Sequence, residues 1–151
     1  MKTLKHMSLF IIALFLLGCS AKPEPIDYGN DGCYFCKMTI VDKIHGAELV
    51  TIKGKVYKYD AAECLVQMLN EFDPNDIGLL LTNHYNQPEE LIDATKAIYL
   101  ISKNIPSPMG ANLSAFSELK YAQEVQAEKG GDIYSFEELK IHLNKTGYVQ
   151  Y

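Results

Sequence analysis

Lys55–Leu69, KVYKYDAAECLVQML, is the stretch whose reading decides the fold. Val56–Tyr59 alternates as a short strand does, and Asp60 suits a helix N-cap, with Glu63 three positions on to complete a capping-box-like pair. The run from Ala61 to Phe72 then carries Ala61, Cys64, Leu65, Met68, Leu69 and Phe72 on one helical face. Further on, Asn112–Gln126, NLSAFSELKYAQEVQ, repeats that grammar: strand Leu113–Phe116, cap Ser117, helix to Lys129.

Working outward, Ala47–Ile52 reads as a strand that turns at Lys53-Gly54 into Val56–Tyr59, a hairpin. Pro74 ends the helix and Leu79–Thr82 is a short buried strand. The second half offers Ala97–Ile101, Leu113–Phe116, the helix stopped by Gly130-Gly131, and a strand Asp132–Tyr134. There Ser135 to Glu138 form a capping box opening a last helix to Leu143. The expectation is an α+β fold of two similar β-β-α-β units in one compact body. Residues 33–151 form the domain, 33–90 its first half and 91–151 its second.

The chain begins MKTLKHMSLFIIALFLLGCS. A basic start at Lys2, Lys5 and His6 precedes an apolar run, Leu9–Leu17, too short to span a bilayer comfortably. Leu16-Leu17-Gly18-Cys19 looks like a bacterial lipobox, so residues 1–18 read as a lipoprotein signal and Cys19 as the acylated N-terminus. The expected place is the bacterial envelope, on a membrane surface rather than through it. Ser20 supplies no inner-membrane retention aspartate, which favours the outer membrane, periplasmic side. Residues 19–32 read as a lipidated tether, whose SAKPEPIDYGNDG is rich in Pro and Gly and could reach roughly 40 Å when stretched. Losing Lys2 and Lys5 with the signal takes the formal charge from −5 to −7. An acidic body argues against nucleic acid as a partner and agrees with attracting a cation.

Chemistry gathers at Cys33-Tyr34-Phe35-Cys36-Lys37-Met38. A thioredoxin-like pair belongs at a helix N-terminus after a strand. This one follows a tether and precedes the β-branched, strand-like Lys37–Val41. A zinc site needs four nitrogen or sulfur ligands, and the body offers His45, His84 and His142 singly and far apart. Cys64 falls on the apolar helical face, where a free cysteine acts as a small hydrophobe. In the third reading Cys36 opens an extended segment, so that Cys36 and Met38 point to one side. A thiolate and a thioether together select Cu(I). Ser107–Ala111, SPMGA, holds Met109 in a rigid loop that could close over a soft metal.

With these residues in hand, the chain resembles the NosL family of nitrous oxide reductase accessory lipoproteins. The resemblance rests on the lipobox, CYFCKMTI, GKVYKYDAAECLVQML, IDATKAIYLI and PMGANLSAFSELKYAQEV, in family order over nearly the whole mature chain. It implies a non-enzymatic Cu(I) metallochaperone, tethered to a membrane, that supplies nitrous oxide reductase or its maturation machinery in denitrification. Carried onto this sequence, the implied ligands are Cys36 and Met38, with Met109 as a third and Cys33 as a further member. Lys37 departs from the glycine frequent there, without removing a sulfur. The rival is an envelope thiol-disulfide oxidoreductase using Cys33 and Cys36 on a copper-protein client.

Overall fold

The computed structural model describes residues 20–148, so the signal and Cys19 lie outside the described residues. The first half is β1 (Ala47–Thr51), β2 (Val56–Tyr59), α1 (Ala62–Met68), β3 (Ile77–His84) and β4 (Gln87–Asp93). The second is β5 (Ile98–Ile101), β6 (Leu113–Phe116), α2 (Leu119–Lys129), β7 (Asp132–Ser135) and α3 (Phe136–Lys145). All pairings are antiparallel, in two sheets ordered β2-β1-β3-β4 and β6-β5-β7. In both halves the first strand is central, flanked by the second strand and by the strand that follows the helix. The α+β body of two β-β-α-β units is therefore present, and the likeness extends from element order to sheet order.

Differences from the expected elements have local causes. β4 is additional to the expected strands, and its Pro88, Glu89 and Glu90 are poor strand formers. It is an edge strand, where proline is tolerated and exposed acids discourage further pairing. Its Glu89 meets Lys43 at 2.6 Å. The helix expected through Phe72 gives way to a 3-10 turn over Leu69–Glu71. The capping box of α3 forms as expected: Ser135 N–H donates to the Glu138 carboxylate at 2.8 Å, and Ser135 Oγ accepts from Glu138 N–H. Asp60 and Ser117 do not cap. The N-caps are Ala61 and Glu118, neither with a side-chain bond.

α1 is buried on two sides. Ala62 and Val66 pack with Tyr99, Leu113, Leu139 and Leu143 of the second half. Cys64 and Leu65 pack with Ala47, Leu49 and Tyr59 of the first sheet. Leu139 and Leu143 are fully buried, each stabilising by roughly 1.5–3 kcal/mol, so α3 clamps the second sheet over α1.

The segment expected as a tether lies along the first sheet. Ile26 is buried beside Cys33, Glu24 N–H donates to the Glu48 carboxylate at 3.1 Å, and Lys58 Nζ reaches the Pro25 carbonyl and Asp31. A Cβ at Gly78 would stand 2.7 Å from the Ala21 methyl, so the bare glycine makes room for the segment.

Candidate metal centre

The turn Tyr34–Cys36 is closed by two backbone bonds. Cys33 N–H donates to the Met38 carbonyl at 2.8 Å, and the Cys33 carbonyl accepts from Lys37 N–H at 3.1 Å. Lys37 takes φ +65°, the left-handed region that glycine enters without strain. Its ammonium bonds to the Tyr34 carbonyl and lies over the Tyr34 ring at 4.5 Å. Tyr34 N–H donates to the Lys58 carbonyl, which ties the turn to β2. Cys36 sits within this turn, and beyond it the chain pairs back through an isolated bridge of Thr39 to Gly32 and the backbone bonds of Ile40 to Asp31 and Gly29. The reversal at Lys37 interrupts the alternation expected after Cys36. Ile40 is fully buried, whereas Met38 keeps 48% of its surface.

The turn delivers two thiols to a place where α1 and its junction with β2 supply two further donors. Sγ atoms of Cys33, Cys36 and Cys64 and a carboxylate oxygen of Asp60 all lie within 4.8 Å of one another. Cys64 Sγ is 3.1 Å from Asp60 Oδ1 and Cys36 Sγ is 3.5 Å from Asp60 Oδ2, so each thiol can donate to that carboxylate. Cys33 and Cys64 are buried and Cys36 is partly exposed. Met109 is half-buried and packs on the same apolar cluster, its backbone carbonyl accepting from Tyr148 OH.

Hydrogen bonding divides the thiols electrostatically. The neighbouring Cys64 thiol is the main reason that the Cys33 pKa falls to about 6, against the opposing effect of burial. Burial pushes Cys36 up to about 11, and Cys64 is pushed up further, chiefly by the adjacent Cys33. Each of Cys36 and Cys64 has one proton, and both Asp60 and Cys33 are placed to accept it. Tyr59 OH is buried beside the cluster without a hydrogen-bond partner, and burial raises its pKa.

Of the residues expected as ligands, Cys33 and Cys36 are brought together, Met109 packs beside them, and Met38 follows the turn on the exposed side. The histidines are engaged elsewhere: His45 with Asp42 and Ser114, His84 with Ser117, His142 against Tyr134. The two further donors are Asp60, expected as a helix cap, and Cys64, expected as part of the apolar core. Their spacing of four across the start of a helix was the available signal, since such pairs share a side. The set suits a soft or borderline cation, with thiolates for Cu(I) and one carboxylate that a harder ion would use.

The NosL family model matches residues 26–143. The chain is similar to the copper-binding lipoprotein NosL of Stutzerimonas stutzeri, 29% identical over 147 residues covering 85% of this chain and 76% of that one. Its fold is similar to the crystal structure of the copper chaperone NosL from Shewanella denitrificans, with a TM-score of 0.66 at 21% identity. That match covers 78% of this chain and 94% of the other.

Proposed function

This chain belongs to the NosL family, and on that premise we propose that it is a membrane-anchored envelope metallochaperone. Its cargo is Cu(I), delivered for the maturation of nitrous oxide reductase. The observation that carries the reading is the position of Cys36. It is a partly exposed thiol between buried Cys33 and exposed Met38, with Met109 packed on the same cluster. Soft donors with one side open to solvent can take a monovalent soft ion and give it up again, because an incoming ligand has access. Cys36 serves as the anionic anchor, Met38 and Met109 as neutral ligands and Cys33 as an auxiliary thiolate. Capture and release proceed by exchange of ligands, one sulfur of the recipient entering before one of the chaperone leaves. An acyl group on Cys19 holds the protein on the envelope membrane.

Anaerobic titration of the reduced full-length protein with Cu(I), against a competing chelator, tests the reading. The expected result is one-to-one binding that weakens at least about tenfold, roughly 1.4 kcal/mol, in both Met38→Ala and Met109→Ala. Absence of competitive binding, together with disulfide reductase activity indifferent to either methionine, would favour the oxidoreductase and sink the chaperone.

A further inference from the structure

We propose that Cys64 joins Cys33 and Cys36 in an interior thiolate station for the cargo, with Asp60 as its outer partner, and that Cys36 belongs both to this station and to the outer site proposed above with Met38. The inference deepens the copper reading and rests on it.

Four donor atoms from three separate parts of the chain converge within 4.8 Å: the 33–38 turn, the β2–α1 junction and the body of α1. Sulfurs around one metal ion stand at comparable separations, so little movement is needed to close them on a cation. The supports are stiff. Cys64 has no accessible surface and lies on a helix packed from two sides, and the turn is pinned by its own backbone bonds and by β2. A site held on packed elements keeps its geometry better than one on loose loops.

Burial grades the two stations. Cys33 and Cys64 are 2% and 0% exposed, Cys36 is partly exposed and Met38 is 48% exposed. An ion held by the three thiolates is shielded from water and from foreign ligands, while one shifted onto Cys36 and Met38 faces outward. Because Cys36 is common to both, the ion can pass outward without leaving the protein. Cu(I) is satisfied by two or three sulfurs and leaves Asp60 uncoordinated, whereas a divalent d10 ion takes four donors and recruits the carboxylate. Asp60 accepts hydrogen bonds from the Cys36 and Cys64 thiols. Loading puts the metal in place of the thiol protons, which pass to solvent.

Cadmium reports thiolate count directly. The reduced full-length protein is loaded anaerobically with one equivalent of Cd2+ and read by 113Cd NMR and by the thiolate-to-cadmium charge-transfer band. A three-thiolate signature is expected in the wild type and in Met38→Ala, falling to two thiolates in Cys64→Ser. In parallel, Cu(I) affinity should fall at least tenfold in Cys64→Ser. A two-thiolate wild type overturns the interior station without any variant, which covers the case of a Cys64 substitution that fails to fold. Unchanged Cu(I) affinity in folded Cys64→Ser, alongside weakening in Met38→Ala, also overturns it while leaving the chaperone reading intact. A wild type that takes no Cu(I) at all removes both.

Discussion

Glu48 shows how a single buried acid sets the pH response of the fold. It is the second residue of β1, without accessible surface, opposite Lys58 on β2 and bonded by the Glu24 N–H. Burial pushes its pKa up to about 7 from 4.5, with the Glu24 N–H and then Lys58 only partly offsetting. The folded state therefore binds this proton more tightly than the unfolded one. Its contribution is complete below about pH 4.5 and is lost as pH rises through 7. Glu48→Gln should match the wild type in urea denaturation at pH 5 and exceed it at pH 8, by about 1–3 kcal/mol. Asp60 and Cys64 teach a different lesson at this scale. The residue pattern around them fits a capped helix with a cysteine in its core, and both readings are sound locally. What redirects them is the arrival of Cys33 and Cys36 from more than twenty residues earlier in the chain, a meeting that periodicity within one segment cannot report.

Among elements, the loop bearing Met109 is held in place by a carboxylate that looked like part of a cap. Glu63 has no accessible surface and accepts from Ser107 Oγ, which in turn accepts from Asn112 N–H at 2.9 Å. Glu63 precedes Cys64 on α1, so one helical turn presents a thiol to the first half and a latch to the second. Its other oxygen, Oε2, has no partner, which makes the remaining bond matter more. Ser107→Ala should cost about 1–3 kcal/mol in chemical denaturation and loosen residues 107–112 in hydrogen exchange. A change below about 0.5 kcal/mol would remove the latch. The loop itself was legible, because proline and glycine around a methionine leave few other options. So were most strands and α3, whose capping box forms as its sequence specifies. β4 was hidden by a proline that an edge position tolerates, and the latch by a glutamate whose capping role was locally plausible.

For the whole molecule, α1 is the shared member of two cores, and Tyr85 N–H bonding to the Ala115 carbonyl adds a backbone link between the halves. The repeat was readable as a grammar of strand, cap and helix. How one unit would lie against the other was not, because that depends on which face of a short, all-round buried helix each sheet takes. The N-terminal strip along the first sheet is a further whole-molecule feature, permitted by the missing side chain at Gly78. Gly78→Ala should free it, since the added Cβ would lie 2.7 Å from the Ala21 methyl and 3.1 Å from the Val50 carbonyl oxygen. Faster proteolytic nicking at residues 21–26 and about 1–2 kcal/mol of lost stability are expected. Nicking at the wild-type rate would show that the strip is not wedged there.

That strip alters what an acylated Cys19 would mean. Ala21 is already seated on the body, so the leash between such a lipid and the fold would be two peptide units, under about 10 Å, rather than the full length of a stretched linker. A protein moored so closely cannot sweep a hemisphere in search of its recipient. It would glide with the bilayer, the thiol cluster kept at a near-constant height and tilt. Encounters then become a search in two dimensions, and a recipient would have to come down to that plane to collect its ion.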